Sequence, residues 1–356
     1  MRRRQLLQVL GYAPWLLPGL LQAGDGTLAA VFGQPPAAGR VRRIFAAGPP
    51  AAVLVYCLAP DKLLGWPWPL AAENRDLIAP AQRDLPVLGR LAGRGSTISM
   101  ETLVGLAPDL IVDTGTADDT FLSANARASA QTGIPCVSFA GRLADTPSLL
   151  REASARFGVE ERGERLAAHA QAILERSRNG SGRPGTVYLA RGPDGLETSR
   201  GGSIHAEAVE LAGLENVAAR LGSGGLARVS LEQLLDWQPD IVLCQDAGLQ
   251  QYIRQSALWR DLPAVRADKV HRAPALPFGW LDGPPGVNRL LGLEWLLALV
   301  NPGEAAALPG RVREFFALFY SMELGEAQIR QLLSSHPRNP YAAIPGGPGA
   351  AFEALR

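Results

Sequence analysis

Apolar positions along the chain fall into short runs of two kinds, which predict alternating strands and helices. Val41 to Ala47, Leu110 to Asp113, Pro135 to Phe139, Thr186 to Ala190, Ile241 to Cys244 and Val270 to Ala273 are compact runs rich in Val, Ile and Leu, the pattern of strands buried on both faces. Leu63 to Trp66 and Pro86 to Leu88 offer two more short strands. Helices are expected over Ala51 to Leu58, Phe121 to Gln131 and Ile204 to Leu211, with amphipathic closing helices over Leu290 to Leu299 and Arg313 to Tyr320. From Glu160 to Arg178, Leu166, Ala170, Ile173 and Leu174 share one helical face, and a helix of that length rises roughly 28 Å, enough to span two lobes.

One segment is written twice. Ser99-Met100-Glu101-Thr102-Leu103 followed by Pro108-Asp109-Leu110 returns 131 residues later as Ser230-Leu231-Glu232-Gln233-Leu234 followed by Pro239-Asp240-Ile241. Each serine is placed to cap a short helix, and Ser230 with Gln233 forms a capping box. Each glutamate lies in the first turn, where the helix dipole favours a carboxylate. Pro108 and Pro239 should stop the helices by forcing their predecessors into extended backbone. The repeat predicts an α/β fold of two related β/α, Rossmann-like lobes; the single long helix is long enough to bridge them, and facing strand ends leave room for a ligand cleft between them.

The chain's 356 residues suit two domains of ordinary size. The expected division is an export signal over residues 1–30, a first lobe over 40–150, a bridging segment over 151–180, a second lobe over 181–335 and a disordered tail over 337–356, rich in Pro, Gly and Ala. Met1-Arg2-Arg3-Arg4, an apolar stretch from Leu6 to Leu21 broken by Pro14 and Pro18, and Leu21-Gln22-Ala23 have the layout of a cleaved signal peptide, so a soluble periplasmic monomer is expected. A retained anchor is the alternative, disfavoured because the stretch falls short of the ~20 residues of a span.

Charge and chemistry narrow the classes. Lys and Arg (35) nearly balance Asp and Glu (34), so there is no basic surface of the kind nucleic acid selects. The three cysteines, Cys57, Cys136 and Cys244, sit in apolar runs and read as small buried hydrophobes. The four histidines show no pair at metal-ligand spacing, so no bound zinc or manganese and no cofactor are expected. A nucleophile elbow, a Walker loop and a dinucleotide fingerprint are all missing, which leaves an enzyme only as an α/β alternative without a recognisable motif.

The doubled Ser-x-Glu-x-Leu with Pro-Asp, the segment Leu211-Ala212-Gly213-Leu214-Glu215-Asn216-Val217-Ala218, and Pro274 to Trp280 leading to Asn288-Arg289-Leu290-Leu291-Gly292-Leu293 resemble the periplasmic solute-binding proteins of the ferric-siderophore, corrinoid and haem ABC importer class, over roughly residues 40 to 335. That resemblance implies that Glu101 and Glu232 dock onto arginines of a membrane permease dimer. It also implies a small-molecule metal chelate as cargo, a ferric siderophore first, with corrinoid, haem or molybdate and tungstate as alternatives. Strand-end loops place Arg90, Arg94, Arg191, Phe278 and Trp280 as ligand-binding candidates: guanidinium forks suit anionic groups and Trp280 suits a flat ring. Gly48-Pro49-Pro50 and Thr114-Gly115-Thr116 are further cleft loops; Trp66 and Trp68 read as packing, and Arg289 reads equally as a ligand contact or as a tie for the closing helix.

Overall fold

A computed structural model describes residues 28–91, 95–115, 119–180 and 185–334. The expected export signal up to residue 27, Arg94, Thr116 and the tail lie outside the described residues.

The first lobe is built on β1 (Ala29–Phe32), β2 (Ile44–Ala46), β3 (Leu110–Gly115) and β4 (Cys136–Ala140), ordered β1-β4-β3-β2. The β2-β3 and β3-β4 pairings are parallel, while β1 adds antiparallel to β4. The expected signal boundary at residue 30 therefore falls inside β1, and Leu28 already donates its N–H to Glu152 at 3.0 Å. An apolar edge strand and the end of a signal look alike in sequence, because both are short runs of Leu, Ala and Val.

The second lobe holds β5 (Thr186–Leu189), β6 (Glu197–Ser199), β7 (Glu215–Asn216), β8 (Leu226–Arg228), β9 (Ile241–Cys244) and β10 (Val270–Arg272). Its main sheet, ordered β10-β9-β5-β7, is parallel throughout, and β6 pairs with β8 antiparallel beside it. The run β2-β3-β4 of the first sheet thus matches β5-β9-β10 of the second. The two runs expected as strands near Leu63 and Pro86 make only isolated bridges, Ile44 with Leu63 and Trp66 with Val87.

Among the described residues, alternation along the strands builds three cores. Ile44, Leu110, Val112, Val137 and Phe139 of the first sheet and Val187, Leu189 and Leu243 of the second face one continuous apolar cluster that runs through both lobes. Phe45, Ile111 and Cys136 face an outer layer on the first lobe, and Tyr188, Val242 and Cys244 one on the second. All three cysteines are buried, and burial raises their thiol pKa values, so they are inert packing groups.

The helix Glu160–Asn179 is buried along Leu166, Ala167, Ala170, Ile173 and Leu174. Near its start Arg162 Nε donates to the Cys57 carbonyl at 2.7 Å; near its end Ser177 donates to the Leu211 carbonyl and Arg176 pairs with Glu294. The helix thus touches both lobes. The expected bridging segment 151–180 also contains the end of a separate helix, Thr146–Phe157. Gly158 (φ +68°) divides the two, and a Cβ there would stand 2.8 Å from the Ala38 carbonyl oxygen.

The helix Arg289–Val300 is buried on nearly every side rather than amphipathic, with nine of its residues buried. Gly292 lets it lie against the Trp280 carbonyl, where a Cβ would come within 2.0 Å of the oxygen. The repeated helices Met100–Gly105 and Leu231–Trp237 are capped as expected, Thr102 N–H to Ser99 Oγ at 3.0 Å and Gln233 N–H to Ser230 Oγ at 3.2 Å. Their stop signal differs from expectation. Ala107 and Gln238, the residues before the prolines, are left-handed (φ 44° and 47°) rather than extended, because each closes the last helical turn, donating its N–H to the carbonyls of Val104 and Leu234.

Candidate functional site

Parallel strands leave their loops at the carboxyl ends, and the two lobes bring these ends to one cleft. Pro50, at the first turn of the helix Pro49–Leu58, and Thr114 and Gly115, at the end of β3, form one wall with Arg142, just past β4. Ile204 and Arg289 form the opposite wall. The cleft encloses about 420 Å³, including space open to solvent, and a wider recess of about 1220 Å³ adjoins it at Gly115, Arg142 and Ile204.

The charge in this cleft is organised around Glu207, which begins the helix Glu207–Leu211 and is 5% exposed. Its Oε1 accepts from Arg142 Nε at 3.1 Å, and its Oε2 accepts from the Leu143 N–H at 2.7 Å and from Arg289 Nη1 at 2.8 Å. Arg289 also donates to the carbonyls of Ile204 (2.7 Å) and Gly286 (3.2 Å), so it ties down the start of the closing helix while lining the cleft. Burial draws the Arg289 guanidinium below its ordinary pKa, opposed by Glu207.

Behind the first wall, Asp113 on β3 is buried, accepting from the Asn125 amide (2.9 Å) and the Thr114 N–H (2.9 Å). Burial outweighs both hydrogen bonds and pushes its pKa up to about 6. In the second lobe a smaller cavity at the ends of β5 and β9 is lined by Arg191, Ser199, His205 and Gln245. There Asp282 accepts from Arg191 and from His205, and Arg191 also pairs with Glu197 at 3.5 Å. Burial alone would raise the Asp282 pKa, but the Arg191 guanidinium and His205 overcome it and hold the carboxyl below the usual range.

The sequence candidates separate under this geometry. Thr114, Gly115 and Pro50 line the cleft. Phe278 and Trp280 do not: both are 0% exposed. Trp280 donates its indole N–H to the Leu276 carbonyl at 2.9 Å, and Phe278 packs in an aromatic cluster with Tyr56, Trp66, Trp68 and Tyr320. A ring with no free face offers nothing for a ligand to stack on, so these two are core residues, as Trp66 and Trp68 are. Arg90 folds back on its own loop, donating from Nε to the Gly95 carbonyl at 3.2 Å, and Arg191 is engaged by Asp282 in the second-lobe cavity. Arg142 and Glu207 were not singled out in the sequence. The strand-end rule points to Arg142 once it is applied to β4, whereas nothing local marks Glu207.

Glu101 and Glu232 are both exposed in the first turn of their capped helices, and among the described residues neither makes an ion pair. Among the described residues no three His, Cys, Asp or Glu side chains gather as a metal-binding group, and no helix is long and apolar enough to cross a membrane.

Comparison with known proteins places this architecture. The sequence profile of the periplasmic binding protein family matches residues 67–276. The molybdate-binding protein MolA of Haemophilus influenzae is 27% identical over 279 residues, covering 70% of this chain and 76% of MolA. Among solved structures, an ABC transporter solute binding protein from Sulfurospirillum deleyianum superposes with a TM-score of 0.74 at 25% identity, covering 83% of this chain and 94% of that one. Molybdate-bound MolA itself superposes with a TM-score of 0.62 at 22% identity, covering 82% and 96%. The chain belongs to the periplasmic binding protein family: it is a substrate-binding component of an ABC importer, delivering a small ligand to the permease, and not an enzyme.

Proposed function

We propose that this periplasmic binding protein captures a tetrahedral oxyanion of the molybdate and tungstate class between its lobes and hands it to its permease. The observation that carries the reading is Arg142: its side chain is 65% exposed at the cleft, and Glu207 engages it through Nε. The guanidinium N–H groups of Arg142 that Glu207 leaves free are the kind of donor an oxyanion needs, and Gly115 and Gly141 beside it let an anion approach closely. The similarity to a molybdate-binding relative supports the same class. The burial of Phe278 and Trp280 weighs against the ferric siderophore favoured from sequence, since the stacking platform expected for a flat chelate is not available. A ferric chelate stays as the second reading because the recess beside the cleft is larger than an oxyanion requires.

Calorimetric titration of the protein with molybdate, tungstate, a ferric siderophore, cobalamin and haemin separates the readings. Saturable molybdate or tungstate binding, weakened at least tenfold in Arg142→Ala, is expected; the loss of one charge-assisted contact corresponds to roughly 1.5–3 kcal/mol. Saturation by the ferric chelate alone would overturn the oxyanion assignment.

The same proposal gives Glu101 and Glu232 the permease-docking role. Their exposure, their lack of an ion-pair partner among the described residues and their equivalent places on the two lobes support it. Replacing both with Ala should abolish transport stimulated by the binding protein and leave ligand affinity unchanged; a variant that transports normally removes the role.

A further inference from the structure

Glu207 joins parts of the molecule that the chain holds far apart. Its carboxylate belongs to the second lobe, while two of its three donors, Arg142 Nε and the Leu143 N–H, come from the loop that leaves β4 in the first. The third, Arg289, is itself fixed by two backbone carbonyls and is 4% exposed, so it is a rigid strut. Arg142 is the opposite: among the described residues its side chain has no other hydrogen-bond or ion-pair partner, and it is largely exposed at the cleft. A buried carboxylate with three donors is stable only while all of them stay in place, since losing one leaves charge poorly compensated in a dry setting.

We propose that Glu207 is the latch between the lobes and the positioning residue for Arg142, pinning its Nε so that the terminal nitrogens are presented to the anion. This rests on reading the cleft as the oxyanion site. Two consequences follow from the geometry. As a fixed contact across the cleft, the latch sets the distance between the walls, so capture proceeds with little reorganisation. Glu207 also acts on affinity through Arg142 and not through its own charge. A free carboxylate near the cleft would repel an anion, whereas this one raises affinity by fixing the guanidinium that binds it.

The test is a double-mutant cycle of Glu207→Gln and Arg142→Ala with molybdate as probe, together with hydrogen exchange at the Leu143 amide in the ligand-free protein. The glutamine keeps the shape of the carboxylate and removes its charge. E207Q should weaken molybdate about tenfold in the wild-type background and have no further effect once Arg142 is gone, the signature of residues that act as one unit. The Leu143 amide should lose protection in E207Q. Unchanged or tighter molybdate binding in E207Q, or effects of the two substitutions that simply add, would overturn the positioning role. If the wild-type protein takes up no molybdate, the oxyanion reading fails, and the exchange measurement still decides the latch: unaltered protection at Leu143 in E207Q refutes it.

Discussion

In the first lobe, Asp109 accepts the backbone N–H groups of Arg42 and Arg43, and in the second, Asp240 accepts the N–H and hydroxyl of Thr186. Each aspartate precedes the central strand of its sheet and fastens the start of the neighbouring strand, β2 or β5. The two lobes therefore share their construction at the amino ends of the strands. At the carboxyl ends they diverge. The first lobe presents Thr114 and Gly115, backed by a buried Asp113 whose company is neutral, Asn125 and an amide N–H. The second presents charges already balanced against one another: Asp282 with Arg191 and His205, and Glu207 with Arg289. The end that builds the sheet is alike in the two lobes, and the end that faces the cleft differs on each side. An asymmetric cleft is the result, in which the first lobe supplies the strand end at Thr114 and Gly115 with the exposed guanidinium of Arg142, and the second a charge network already balanced within itself.

The sharpest way to break this contrast is to titrate it. Asp113 carries a pKa raised from the ordinary carboxylate value to about 6, because burial penalises its charged form. Between pH 4 and 6 the folded protein binds more protons at this site than the unfolded chain does. Stability from this group is therefore fully present below about pH 4 and is lost as pH rises through about 6. A shift of this size corresponds to a loss of about 3 kcal/mol. Urea unfolding of the wild type and of Asp113→Asn across pH 4 to 7 should show the wild type gaining on the variant as pH falls. Parallel stability curves would mean that Asp113 is not buried as a charge at neutral pH. Asp282, with its lowered pKa, has the opposite sign: its contribution is present at neutral pH and lost only in stronger acid.

The legible part of the molecule is what local rules govern. Ser99, Ser230 and the apolar runs of β3, β5, β9 and β10 speak through caps and short-range patterns, and the strands lie within a residue or two of where the pattern puts them. The strand-end rule also found Pro50, Thr114 and Gly115. The illegible part is long-range. Glu207 meets Arg142 across 65 residues and Arg289 across 82, and no local spacing encodes such a meeting. Trp280 and Phe278 misled for a different reason: an aromatic pair after a proline-rich turn reads the same whether it faces a ligand or the core. Only the packing against Tyr56, Trp66 and Tyr320, and Gly292 beneath the Trp280 carbonyl, distinguishes the two. β1 was hidden because it abuts the apolar amino terminus.

A smaller effect sharpens the conserved half of the comparison. If Asp109 and Asp240 do the same work, Asp109→Ala and Asp240→Ala should each cost about 1–2 kcal/mol, since each strands two donors at the start of a strand. Both aspartates lie near the surface, so water partly re-satisfies those donors and the cost stays at the lower end of what a buried site would show. The sites are in different lobes with no shared partner, and the double variant should lose the sum of the single losses to within about 0.5 kcal/mol. Asp240 adds a check on sign: the Thr186 N–H and hydroxyl lower its pKa, so its contribution is present above the unfolded carboxylate pKa and fades as pH falls, and the Asp240→Ala deficit should shrink in acid. Chemical denaturation of the three variants measures this directly. A deficit several times larger in one lobe would show that the repeated aspartates, though placed alike, carry unequal shares of their sheets.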